Sequence, residues 1–165
     1  MKILLMSDTH NYMDDKILKY VAQADEVWHA GDIGNLHIAD TIREKRPLRA
    51  VYGNIDGTEV RKEFPLEQHF DIDGYQIYMI HIGGYPKRYA KGIKEKIKMK
   101  KPDLFISGHS HILKVMNDHD LGLLHMNPGA IGKQGFHQKR TMLRFEIDSN
   151  SIKNLEVVDL GKRGQ

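Results

Sequence analysis

The sequence predicts an α/β fold of two packed sheets with helices outside. Short apolar runs of strand type alternate with amphipathic stretches from Met1 to Asn54, and further strand-type runs separated by polar turns fill the chain after Ile112. No internal repeat, low-complexity tract or linker interrupts the 165 residues. A chain of this length supports one real core and is short for two, so residues 1–165 are expected to form a single domain.

In chain order, Lys2 to Met6 is a short strand of the buried type. Asp14-Asp15 starts a helix whose expected inward stripe is Ile17, Leu18, Val21 and Ala22. Glu26 to Ala30 is the second strand. A helix over Ile38 to Arg46 is stopped by Pro47, and Leu48 to Tyr52 forms a third strand that ends in Gly53-Asn54. Phe70-Asp71-Ile72 leads through the hairpin signal Asp73-Gly74 into Tyr75 to Ile82. A basic helix follows, with Ile93 and Ile97 four apart as its apolar stripe, and then the strand Asp103 to Ser107. Ile112 to Met116, Leu121 to Met126, Thr141 to Ile147 and Ile152 to Val158 are strands joined by turns such as Asn117-Asp118 and Asp148-Ser149-Asn150.

Composition narrows the chemistry. No run approaches the roughly 18 apolar residues of a membrane helix, and Ile3 to Met6 is too short for a signal peptide, so no membrane partner and a cytoplasmic location are expected. The absence of cysteine excludes disulfides and thiolate ligands, leaving oxygen and nitrogen for any metal. The net charge of +3 is mild, but Lys87, Arg88, Lys91, Lys94, Lys96, Lys98, Lys100 and Lys101 face only Glu95 in their segment. A solvated helix face accounts for that run; attraction of an anionic substrate or a nucleic-acid backbone is the alternative. No aromatics interleave with the lysines, which argues against single-strand binding.

Five predicted strands end in potential ligands. They run into Asp8-Thr9-His10, Gly31-Asp32, Gly53-Asn54, His81 and Gly108-His109-Ser110-His111. Each has an ordinary explanation, since Asp, Asn and Gly serve caps and turns and a histidine can be a satisfied core ring. The carboxyl ends of parallel strands line one crevice in open α/β sheets, so the five sets can converge on one site.

The series D-x-H, G-D, G-N-x-D, H and G-H-x-H, in this order, resembles the calcineurin-like metallophosphoesterases, and the short length resembles their compact bacterial and archaeal phosphodiesterases. The resemblance spans the chain from Met1 to the 150s. It implies a four-layer αββα sandwich of two mixed β-sheets flanked by helices, with a dinuclear metal centre at one end of the sheets. Carried over by position, Asp8, His10, Asp32 and His111 hold one ion, and Asp32, Asn54, His81 and His109 hold the second, with Asp32 bridging. Carboxylate, amide oxygen and imidazole suit borderline-hard divalent ions; manganese is the first expectation, with iron, nickel or zinc as alternatives. Two such ions favour hydroxide attack in line on phosphorus, and the resemblance to the compact phosphodiesterases implies a phosphodiester-containing small molecule as the substrate.

Around this set, His29 precedes the bridging carboxylate and is either a core histidine or an orienting group, and Asp56 caps or positions the G-N-x-D turn. Asn127-Pro128-Gly129 resembles a turn close to the centre in this subgroup, with the loop Gly129 to His137 bordering the substrate; Lys133, Gln134 and His137 are its candidate phosphate contacts. Two positions depart from the family. Many members carry histidine where this chain has Ile55, and many show H-G-H where it reads His81-Ile82-Gly83-Gly84. The first departure removes the expected general acid. The rival functions are a nuclease and a non-catalytic scaffold, because a retromer subunit shares the fold; every ligand position here is filled, which favours catalysis. A homo-oligomer is compatible with the sequence.

Overall fold

The computed structural model describes residues 1–165. The first sheet takes β1 (Lys2–Met6), β2 (Glu26–His29) and β3 (Leu48–Ala50) in parallel, and extends beyond β1 through the antiparallel pair β11 (Lys139–Asp148) and β12 (Ser151–Lys162). The second takes β5 (Tyr75–Ile80), β8 (Leu104–Ile106) and β10 (Leu123–Pro128) in parallel, with β4 (Glu67–Ile72) and β9 (Leu113–Asp118) antiparallel at its edges. Both sheets are therefore mixed. Helices α1 (Asp15–Gln23), α2 (Leu36–Arg43) and α3 (Thr58–Glu63) cover the first sheet, and α4 (Ile93–Lys100) covers the second. No helix is long and apolar enough to cross a membrane.

Strand alternation builds the four layers. Along β1, Ile3 and Leu5 point between the sheets, where they meet Trp28, Ile77, Met79, Leu104, Ile106, Leu143 and Phe145. Leu4 and Met6 point outward and meet Ile17 and Val21 of α1 and Ile38 and Ile42 of α2. On the other outer face, Ile93 and Ile97 of α4 pack on Tyr78, Phe105 and Leu123. Each such side chain stabilises the fold by about 1.5–3 kcal/mol when fully buried. The αββα sandwich follows from these three apolar layers.

Local chemistry sets the element ends. Asp14 caps α1 by accepting from the Ile17 amide at 2.9 Å, a contact typically worth about 1 kcal/mol. Asp73 and Gly74 both take positive φ, 49° and 87°, as the two-residue hairpin between β4 and β5 requires. The structure also departs from the sequence-based elements. The inward stripe of α1 is Ile17, Val21 and Ala24; Leu18 lies on its flank and Ala22 is exposed, because a 3.6-residue period carries the apolar face past position 22. Helix α2 begins two residues earlier than predicted and ends at Arg43, and β3 stops at Ala50. Helix α3 was not predicted: its six residues bury only Val60, too little to show a period. The small hairpin of β6 (Gly84–Tyr85) and β7 (Arg88–Tyr89) was missed for the same reason.

Candidate metal centre

The carboxyl ends of β1, β2, β3, β5 and β8 open onto one crevice, where the loops are laced together by backbone hydrogen bonds. The Asp8 amide donates to Gly31 O at 2.9 Å and the His10 amide to Asp32 O at 3.1 Å, joining the loops after β1 and β2. The Gly108 amide donates to His81 O at 2.9 Å and ties together two loops of the second sheet. Five of the seven predicted ligands sit in left-handed backbone: Asp8, His10, Asp32, His109 and His111 have φ between 44° and 69°. Such a conformation costs a non-glycine residue roughly 1–2 kcal/mol and clusters at functional sites. Here it turns each side chain sharply off its strand end into the crevice.

Two glycines make room. Gly31 has φ 101°, and a Cβ there would lie 2.6 Å from His81 Nδ1. At Gly53 a Cβ would fall 2.1 Å from Asp32 Oδ1. The glycines of the G-D and G-N motifs thus permit contact between neighbouring ligand loops.

All seven predicted residues come together. Ligand atoms of Asp8, His10 and His111 lie within 4.8 Å of one another, as do those of Asp32, His81 and His109. Asp32 Oδ2 stands between the groups, 3.4 Å from His10 Nε2 and 3.3 Å from His81 Nε2. Asp8 divides its work. Its Oδ2 accepts from the Ser7 hydroxyl at 2.5 Å and the His109 amide at 3.2 Å, while its buried Oδ1 has no hydrogen-bond partner and lies 3.1 Å from His111 Nε2. His81 donates from Nδ1 to Ala30 O at 2.7 Å, which leaves Nε2 as a lone pair in the neutral ring, 3.1 Å from Asn54 Oδ1. With that ring neutral, Asn54 Oδ1, His81 Nε2 and Asp32 Oδ2 are three acceptors facing one another, an arrangement that either a ring proton or a metal ion satisfies. The residues present fit a pair of divalent ions: oxygen and imidazole donors only, with the Asp8 Oδ1 acceptor and the His10 Nε2 ring atom both buried and unpartnered.

Electrostatics agree. Burial raises the Asp8 carboxyl, but the facing imidazoles of His10 and His111 outweigh it and hold the group below the usual carboxylate range. Asp32 behaves likewise, burial being overcome by His10 and His81. Pairing with Asp32 and Asp8 pushes the His10 imidazole up to about 9, and against burial the same carboxylates raise His81.

The surrounding residues take up roles that the sequence had left open for them. His29 is a core histidine: its Nδ1 accepts from the Gly31 amide at 3.1 Å, its Nε2 lies 3.0 Å from Thr9 Oγ1, and burial pushes it down to about 4. Asp56 accepts from the amides of Gly53, Ile33 and Gly34 and so locks the G-D and G-N-x-D loops together. Asn127 donates to Gly108 O and Ser110 Oγ, both at 3.0 Å, bracing the His109–His111 turn. Ser110 thus anchors that turn. Ser7 was not singled out from the sequence, and its proximity to Asp8 in the chain was the one available signal.

The loop Gly129 to His137 borders the centre, and Gln134 is exposed on it. Lys133 lies over the Tyr12 ring at 4.7 Å, and both nitrogens of His137 are engaged. In the basic run, Lys94 and Lys98 are exposed, whereas Lys96 pairs with Glu67 at 2.9 Å and Lys100 lies over Tyr78.

Comparison with known proteins is consistent with this architecture. The chain matches the Calcineurin-like phosphoesterase superfamily domain over residues 1–150. A probable metallophosphoesterase of Methanothermobacter thermautotrophicus is 27% identical over 79% of this chain and 77% of its own length. Among solved structures, Vps29 of Entamoeba histolytica complexed with Zn²⁺ superimposes with a TM-score of 0.74 at 18% identity, covering 96% of this chain and 99% of that one. A predicted phosphoesterase of Streptococcus pneumoniae gives a TM-score of 0.69 at 21% identity, over 99% and 90% of the two chains.

Proposed function

The chain belongs to the calcineurin-like phosphoesterase superfamily, and from that premise we propose that it is a phosphodiesterase dependent on two divalent ions. The observation that carries this is the place of Asp32, whose Oδ2 lies 3.4 and 3.3 Å from imidazoles of two separate ligand groups. A carboxylate shared in this way suits a dinuclear centre. Asp8, His10, Asp32 and His111 would hold one ion, and Asp32, Asn54, His81 and His109 the other. Manganese is the first candidate for this thiolate-free set, and zinc the alternative.

Two ions bound together acidify water toward a pKa of roughly 7 and offset charge on the oxygens of an in-line displacement. The chain's own residues supply position. The Ser7 hydroxyl and the His109 amide fix the Asp8 carboxylate plane, the Ile55 amide holds Asp32 Oδ1 at 3.0 Å, and Ala30 O fixes the His81 ring. Asn54 and His109 are exposed and form the side of the centre open to an incoming diester. Ile55 leaves the mouth without a proton donor where relatives have histidine.

A non-catalytic scaffold is the second reading, favoured by the fold-level likeness to Vps29. Elemental analysis of protein saturated with Mn²⁺, together with an assay on bis(p-nitrophenyl) phosphate, separates the two. About two ions per chain and metal-dependent turnover are expected, and Asp32→Ala should lose both ions and the activity. Metal uptake without turnover on any aryl diester would favour the scaffold, and two ions retained in Asp32→Ala would overturn the bridging role.

A further inference from the structure

Beside the metal centre, on the side of His109, lies a cavity of about 300 Å³ formed between the β6–β7 hairpin, the His109–Ile112 turn and β9. None of its 13 lining residues is acidic, although it contains Arg88 and Lys114. The arginines and lysines that form ion pairs lie elsewhere. Lys114 is half-buried, with its ammonium 3.5 Å from the centroid of the Tyr85 ring, and Arg88 is the register partner of Tyr85 across the small hairpin. Two cations that form no ion pair thus share a cavity that reaches a candidate metal ligand.

A second observation comes from a buried group. His125 is fully buried and lines the same cavity. Its Nδ1 donates to Phe105 O at 3.1 Å, and its Nε2 has no hydrogen-bond partner. Burial pushes the ring down to about 4, so at neutral pH Nε2 is a bare acceptor. A buried acceptor left unsatisfied is unfavourable, and a donor hydrogen brought to it from the cavity side would relieve it. The cavity rim also carries Ile82 and Ile112, which are 44% and 61% exposed and offer apolar contact to an organic body.

We propose that this cavity is a specificity subsite for a second phosphate carried by one arm of the substrate diester, recognised by Arg88 and Lys114. The proposal rests on the phosphodiesterase reading and names its substrate class: a diester whose organic arm bears a further phosphate, as in a nucleotide bisphosphate ester. Guanidinium and ammonium are the side chains that bind phosphate best, and His109 beside the cavity places the scissile phosphorus at the metals when the second phosphate is seated. Binding energy from the remote group then positions the reacting one.

The test uses the metal-loaded full chain and two substrates with one leaving group, thymidine 5′-(p-nitrophenyl phosphate) with and without a 3′-phosphate. The 3′-phosphate should raise kcat/KM by at least about tenfold, the effect of one or two charge-assisted contacts. Lys114→Glu and Arg88→Glu should each shrink that ratio severalfold; because the ratio is internal to one preparation, partial misfolding does not alter it. Calorimetry with thymidine 3′,5′-bisphosphate and thymidine 5′-phosphate reads the same preference without turnover. Equal kcat/KM for the two esters, or variants that keep the full ratio, would overturn the subsite. Preferred binding of the bisphosphate with neither ester hydrolysed would instead uphold the subsite and overturn the phosphodiesterase reading.

Discussion

The imidazoles of His111 and His137 meet Nδ1 to Nδ1 at 3.2 Å. His137 donates from Nε2 to Gly132 O at 2.9 Å, and burial lowers its pKa, so its Nδ1 is the acceptor and the proton between the rings belongs to His111. When neutral, His111 therefore presents a bare Nε2 toward Asp8. A histidine that the sequence suggested as a phosphate contact instead fixes the tautomer of a ligand, a device common around metal-bound imidazoles.

On the proposed two-ion reading, removing this partner should weaken the ion that His111 would hold. His137→Ala is expected to lower the affinity of one of the two ions by about 10–100-fold, while the other stays near its wild-type value. Chelator competition measures the first effect. In the metal-free protein, ¹⁵N shifts should report His111 as the Nδ1–H tautomer when neutral and a mixture in the variant. An unchanged tautomer together with unchanged affinities would refute the orienting role.

The pH dependence has a defined sign. His10 rises from 6.5 to about 9 by pairing with Asp32 and Asp8, so in metal-free protein its stabilisation is complete below pH 6.5 and fades as pH climbs through 9. Asp8 and Asp32 are depressed, so their stabilisation is present above the unfolded value near 3.8 and is lost as pH falls through their lower folded values. Metal must displace the ring protons, hence binding at pH 7 should release protons and tighten up to about pH 9. Thermal melts of the metal-free chain at pH 7 and 9.5 should show a lower Tm at the higher pH, and calorimetry in buffers of different ionisation enthalpy should count the protons. No proton release at pH 7 would contradict the pairing of His10 with these carboxylates.

Ile55 sets the leaving-group requirement. Its amide serves Asp32 and its side chain is 45% exposed at the mouth, so the backbone role survives substitution while no acid faces the departing oxygen. Log kcat/KM should fall steeply as leaving-group pKa rises, and Ile55→His should help alkyl esters more than aryl esters, by up to roughly a hundredfold. His137 is engaged at both nitrogens and is a poor alternative donor. A shallow slope in the wild type would show that another acid operates.

The basic run has a salt signature if nucleic acid is a partner. Lys94 and Lys98 are the exposed lysines of α4, since Lys96 and Lys100 are occupied by Glu67 and Tyr78. Binding to duplex DNA should then weaken steeply with salt, and Lys94→Glu with Lys98→Glu should flatten the slope by about two contacts. Gel shifts at two salt concentrations decide it. No binding at low salt would leave α4 as a solvated face.

Much of the architecture was legible because burial writes a period into the chain. The unbroken apolar run in Lys2 to Met6, the Ile93 and Ile97 stripe, and the Asp73-Gly74 turn each depend on neighbours a few residues away. The ligand series was legible for a related reason: each member sits just past a strand end, and strand ends announce themselves by glycine, aspartate and asparagine. Short elements escaped because α3 buries one side chain and β6–β7 is two residues per strand.

What the sequence by itself determined is the class of fold, the identity of the seven candidate ligands and the kind of ion they suit. Tertiary structure alone decided which of them meet. Asp8 accepts from the amide of His109, 101 residues away, because β1 and β8 belong to different sheets whose strand ends open onto one crevice. The left-handed turns, the tie between His111 and His137, and the cavity holding Arg88, Lys114 and His125 have the same origin. Periodicity reports how each segment faces the core, whereas convergence between segments depends on strand order and sheet packing, which long-range contacts fix and no local pattern records.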